Sequence, residues 1–333
     1  MPLPSTFVGH RSQIDDLSRD IAQGNVAHGY LFQGPSHVGK FTVAKWLAEE
    51  LLVRGVEDPE EERRIRSSVG KLLHPDLLVI DLLWREELME DLDVLARHSN
   101  VSQAHRIKMG AKTDTIGIDD VRALQERLYE IPEGLHRCCL LKNVERLQDE
   151  AVNALLKVLE EPPKGLVFIL TSSTPEQVLP TLLSRCRRIN FSLLPRKELR
   201  PLVQGLDDDE ASFLLHLCQG APGVIEALKN DPERLRIEHQ LASSARSFWT
   251  EPSAFTRMQM LTPLHTRDAD ADRFTLHLAL ALRTLPPALA LQSFSAFRRY
   301  LRGAETNVSR PLLCAELAFV SGKEADIAAT RAS

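Results

Sequence analysis

A glycine–lysine segment, Gly34-Pro35-Ser36-His37-Val38-Gly39-Lys40, lies between two very different patterns. Before it stands the short apolar run His28-Gly29-Tyr30-Leu31-Phe32, suited to a buried strand. After it, residues 40–53 carry Val43, Ala44, Leu47, Ala48 and Leu51 at helical spacing. Strand, glycine loop and helix in that order fit the pattern G-x-x-x-x-G-K. The glycines let backbone N–H groups turn inwards around phosphate oxygens, the helix N-terminus adds attraction, and the lysine reaches the terminal phosphates. Gly34, Gly39 and Lys40 are therefore candidate nucleotide-binding residues. The competing reading is a glycine turn followed by a surface lysine.

The alternation continues along the chain. Residues 11–24 read as an amphipathic helix with Ile14, Leu17 and Ile21 on one face. Leu77 to Ile80, Cys138 to Leu141, Leu166 to Leu170 and Arg188 to Phe191 read as further strands. Helical patterns separate them at 118–130, 149–160 and 175–183, the second stopped by Pro162-Pro163. Residues 54–70 are dominated by charge and read as a solvated helix or loop, and 84–114 as an irregular acidic surface insertion. Strands alternating with helices predict a parallel sheet covered on both faces. Beyond Leu193 the strand signals stop. Short helices over 196–230 precede a helical C-terminal region from about Glu233.

Composition supports a folded, helix-rich chain of two or three domains. The 333 residues are 43% hydrophobic but only 5% aromatic. The net charge of -5, from 41 basic and 46 acidic residues, gives no basic excess to draw the chain onto nucleic acid by itself. The five cysteines form no C-x-x-C pair, which argues against structural disulfides and a cysteine zinc site and fits a reducing cytoplasm. Met1 to Val8 does not read as a signal peptide, and no apolar run is long enough for a membrane span.

The phosphate loop lacks its usual chemical partners. The residue after the lysine normally supplies a hydroxyl to Mg²⁺, but here it is Phe41. Thr42 does not replace it, because one helical step rotates a side chain by about 100°. A working ATPase site also needs acidic residues at the end of a neighbouring strand, and after Leu141 stand Lys142 and Asn143. Glu145 and Asp149 follow, both read as surface charge at a helix start. Two losses on one chemistry argue against ATP hydrolysis by the usual route.

The segment Asn153-Ala154-Leu155-Leu156-Lys157-Val158-Leu159-Glu160-Glu161-Pro162-Pro163 resembles the N-A-L-L-K-x-L-E-E-P-P run of bacterial clamp-loader ATPases of the AAA+ family. Ser184-Arg185-Cys186 resembles their S-R-C motif at a matching spacing, with Ser173 at the sensor 1 position. His28 to Phe32 and His74-Pro75-Asp76 are also similar, and the resemblance covers about residues 5–230. It implies an AAA+ domain over 1–193, a small helical lid over 194–232 and a C-terminal all-helical collar over 233–333.

In that family the gamma and tau subunits hydrolyse ATP and the delta-prime type commonly does not. The non-hydroxyl Phe41, the missing acidic pair and Val144-Glu145-Arg146-Leu147 place this chain with the second type. The sensor 2 region falls on Gly220-Ala221-Pro222-Gly223-Val224, without the arginine of active members. The resemblance implies that Arg185 acts in trans, contacting the γ-phosphate of ATP on a neighbouring subunit; the competing reading is a surface arginine at a helix end. It implies gamma/tau and delta subunits as partners, with the sliding clamp and primer–template DNA reached indirectly. No cofactor is expected beyond residual ATP or ADP at the degenerate loop. No zinc is expected either, because residues 52–74 contain no cysteine where many relatives carry a zinc site. Lys157 and Glu161, at i and i+4, predict an internal ion pair. A self-sufficient ATPase of the gamma/tau type is the alternative. A P-loop kinase would leave the S-R-C run unexplained.

Overall fold

The computed structural model describes residues 7–80, 115–306 and 308–320, so the insertion read over 84–114 lies outside the described residues. The chain forms two compact units, Met1–Ile225 and Glu226–Ser333.

The first unit is built on five parallel strands: β1 (Gly29–Gln33), β2 (Leu77–Ile80), β3 (Arg137–Leu141), β4 (Leu166–Ser172) and β5 (Arg187–Asn190). They lie in the order β2-β3-β4-β1-β5. The four inner or covered strands are buried almost throughout, as a parallel sheet with helices on both faces requires. Period-2 alternation sorts their side chains. Tyr30, Phe32, Cys138 and Leu140 join one core with Val43, Leu47 and Leu51 of α2 (Lys40–Leu52). Leu31, Cys139 and Leu141 join the opposite core with Leu155 and Leu159 of α5 (Asp149–Glu160). β5 is an edge, with only Ile189 buried.

The first helix, α1 (Arg11–Gln23), buries Ile14, Leu17 and Ile21 as its pattern predicts. The charged stretch 54–70 contains a true helix, α3 (Pro59–Gly70), because Asp58 caps it by accepting from the Glu60 amide and Ile65 and Val69 are buried. α4 (Ile118–Leu128) packs Val121 and Leu124 into the second core.

Two predicted boundaries move. β4 runs on through Thr171 and Ser172, polar but buried, because they pair in register with Phe32 and Gln33. The predicted helix over 175–183 is instead a single 3₁₀ turn, Pro175–Gln177, and a short α6 (Pro180–Leu183). Val178 and Leu179 are extended between them, as residues before a proline prefer. α7 (Arg196–Leu199), α8 (Asp208–Leu217, capped by Asp207) and α9 (Pro222–Lys229) follow.

The second unit is helical: α10 (Pro232–Thr250), α11 (Ala254–Met260), α12 (Ala269–Leu282), α13 (Pro287–Ala304) and α14 (Arg310–Val320). Asp231, Ser253 and Asp268 cap the first three, and Pro286-Pro287 divides the long Leu/Ala run. Phe248, Trp249, Phe274, Phe297 and Tyr300 form its core. Buried Glu238 accepts from His277 at 2.6 Å and Arg273 at 3.3 Å, tying α10 to α12.

Among the described residues, no helix is long and apolar enough to cross a membrane. Likewise, no group of three or more His, Cys, Asp or Glu among them is placed to hold a metal ion.

Candidate nucleotide-loop site and the Arg185 tip

The loop after β1 sits at the carboxyl end of the sheet, where β1 is flanked by β4 and β5. Gly34 must be glycine. Its φ is +148°, and an added Cβ would lie 2.1 Å from the carbonyl oxygen of Phe191. Gly39 takes φ +102° as N-cap of α2. His37 adopts φ +60° between them.

Lys40 is turned back onto this loop. Its ammonium donates to the carbonyls of Gly34 and Pro35, each at 2.6 Å, and to Ser173 Oγ at 3.2 Å. The residue is only 6% exposed, and burial pulls its pKa down from 10.5 to about 8. Lys142 pushes in the same direction, while Glu145 opposes it. Two other loop carbonyls are engaged as well. His10 Nε2 donates to Val38 O at 2.9 Å, and the Gly223 amide donates to His37 O at 2.8 Å. Gly223 therefore docks on the loop through its backbone, and a Cβ on it would meet His37 O at 2.9 Å.

Phe41, the residue after Lys40, and Lys142, the residue after β3, pack on each other. The Lys142 ammonium lies 5.2 Å from the centre of the Phe41 ring. A cation over an aromatic face is a donor set that does not fit a divalent metal. Asn143, at φ +56°, donates its amide to Thr171 Oγ1 at 3.2 Å.

Glu145 differs from its sequence reading as surface charge. The left-handed Asn143 starts a 3₁₀ turn, Val144–Arg146, that aims Glu145 inwards. Its Oε1 accepts from the Ser173 amide at 3.0 Å, and its Oε2 is buried without a hydrogen-bond partner among the described residues. Lys40, Ser173 and Glu145 thus form one cluster. The sequence signal for Glu145 was its place just past the end of β3. Asp149, by contrast, is exposed in the first turn of α5.

Arg185 lies away from this cluster, two residues past α6. Its Nη1 donates to Thr181 O at 3.0 Å and Ser184 Oγ at 3.3 Å, and its Nη2 to Glu160 Oε1 at 2.5 Å. Its side chain stays 32% exposed. The predicted Lys157–Glu161 pair does not form: Glu161 leaves helical geometry at φ −130°, ψ 68°. Neighbouring Arg187 pairs with buried Asp20 and pins β5 to α1.

A parallel sheet of this strand order, with the glycine–lysine loop at the mouth of β1 and an S-R-C segment leading into β5, defines an AAA+ fold. A crystal structure of a DNA polymerase III gamma subunit-related protein from Thermotoga maritima shares that fold. Its TM-score is 0.52 at 19% identity, over 93% of this chain and 99% of that one. A family model described as "DNA polymerase III, delta subunit" matches residues 9–195, and the chain belongs to that family.

Among curated relatives, it is 29% identical over 247 residues to DNA polymerase III subunit gamma/tau of Mycobacterium tuberculosis, covering 73% of this chain and 38% of that protein. It is 24% identical over 218 residues to subunit delta' of Bacillus subtilis, covering 65% and 58% respectively. The chain thus spans well under two thirds of the length of these relatives.

Proposed function

We propose that this chain is a clamp-loader subunit that does not hydrolyse ATP itself and donates Arg185 to ATP held by a neighbouring subunit. The observation that carries the reading is the Phe41–Lys142 pair, which occupies both positions a catalytic metal needs. Lys40, spent on its own loop, argues in the same direction. Arg185 keeps a permanent charge at a partly exposed tip, suited to bidentate contact with phosphate oxygens.

On this reading Gly34, Gly39, Lys40 and Ser173 are a relic site that retains at most residual ATP or ADP binding. The partners are gamma/tau and delta subunits, and the assembly places a sliding clamp on primer–template DNA in the cytoplasm. The net charge of -5 fits DNA contact made through other subunits. Residues 1–193 serve as the AAA+ domain, 194–232 as the lid and 233–333 as the collar. Within the last region, Leu291, Phe294 and Leu301 stand exposed on one face of α13, offering apolar surface for packing against other subunits.

The test is the ATPase rate of the reconstituted assembly. Arg185→Ala is expected to lower kcat by on the order of 10³-fold, at the low end for arginine fingers, with assembly intact by size-exclusion chromatography. An unchanged rate removes Arg185 from the mechanism.

The gamma/tau likeness and the inward Glu145 favour one second reading, a self-sufficient ATPase with Glu145 as the base. Mg²⁺-dependent turnover by the purified chain, abolished by Lys40→Ala, would establish it in place of the first.

A further inference from the structure

The geometry points to Glu160 as a positioning residue for Arg185, holding the guanidinium aimed before a neighbouring subunit arrives. The inference rests on the arginine-donor reading above.

Three hydrogen bonds fix the Arg185 side chain, and they differ in origin. Thr181 O and Ser184 Oγ belong to the same turn as Arg185 and move with it. Glu160 Oε1 belongs to α5, whose Leu155, Val158 and Leu159 are locked in the core beneath the sheet. Among the described residues, only the Glu160 contact ties the guanidinium to the body of the domain.

The placement of Glu160 is not explained by its own helix. It is the last residue of α5, where the helix carries its partial negative charge and a carboxylate is unfavourable. Nor is the pair a significant stability element. The side chains of Arg185 and Glu160 are 32% and 52% exposed, and ion pairs in such surroundings contribute little to folding. What the contact supplies is orientation. A free arginine samples many rotamers, and ordering it at the moment of reaction slows the step.

The remaining donors support positioning rather than sequestration. A guanidinium has five N–H groups. With the bonds above made, Nε–H and one Nη2–H have no acceptor among the described residues. Those two groups can meet phosphate oxygens while Glu160 stays in place.

The experiment uses the assembly reconstituted with its ATPase subunits, comparing Glu160→Ala, Glu160→Gln, Arg185→Ala and the double variant Glu160→Ala/Arg185→Ala. Glu160→Ala is expected to lower kcat by about two- to tenfold, the worth of holding one flexible side chain, with KM for ATP unchanged. Glu160→Gln, which keeps an acceptor oxygen, is expected to recover part of the loss. The double variant is expected to be no slower than Arg185→Ala. A Glu160→Ala rate equal to or above wild type, with Arg185→Ala slow, overturns the positioning role alone. An unchanged Arg185→Ala rate overturns the donor reading and this inference with it.

Discussion

Replacing Lys40 by Met tests whether the lysine is buried against its own loop. In the folded chain burial holds its pKa at about 8, against an ordinary 10.5. Between those values the unfolded chain binds more protons than the folded one, so stability rises with pH across the window. At about 1.4 kcal/mol per pH unit, the full gain is about 3 kcal/mol, of which about 2 kcal/mol falls between pH 7 and about 9.5. Cysteines and tyrosines titrate in the same region, so the quantity to measure is the difference between wild type and Lys40→Met. Losing the bonds to Gly34 O, Pro35 O and Ser173 Oγ shifts the variant as a whole, while the slope isolates the lysine. Urea unfolding at fixed ionic strength, followed by tryptophan fluorescence, gives both curves. A difference that stays flat from pH 7 to about 9.5 refutes the buried ammonium and leaves Lys40 free for a phosphate.

Two further substitutions probe the frame that holds the site. Asp76, fully buried, accepts from Arg137 Nε at 3.0 Å, from its Nη2 at 2.8 Å and from the Glu133 amide at 2.7 Å. Asp76→Ala leaves a buried guanidinium unpaired and is expected to lower stability by about 3–5 kcal/mol, measured by urea unfolding; a loss below about 1 kcal/mol would contradict the pairing. Gly34→Ala drives a methyl into Phe191 O at a φ that L residues avoid. It is expected to cost at least about 1–3 kcal/mol, read as a lower Tm of the first unit, and an unchanged Tm would contradict the loop geometry.

Most of the frame was legible because it depends on local pattern. Apolar runs of four or five residues became the inner strands, and the spacing of Val43, Leu47 and Leu51 placed α2. What stayed hidden depends on contacts between distant segments. The positive φ of Asn143 turns Glu145 towards Ser173, and nothing in Val144-Glu145-Arg146 announces it. The sequence shows Phe41 and Lys142 where the resemblance leads one to expect a hydroxyl and a carboxylate, but not that the two side chains pack together. In the sequence, His74-Pro75-Asp76 stands out only by its similarity to the family and its place before a strand, with no role for Asp76 itself. Asp76 instead reaches across to organise the 133–137 connection, a role invisible until β2 and β3 are paired. The charge-rich 54–70 hid a docked helix because two apolar side chains, Ile65 and Val69, suffice to seat it.

The Phe41–Lys142 contact also bears on how this site responds to substitution. A hydroxyl introduced at position 41 would face the Lys142 ammonium, and a carboxylate introduced at 142 would face a benzene ring. On the proposed reading, the pair makes the site tolerant of single changes: only a change at both positions would offer a metal a hydroxyl and a carboxylate together.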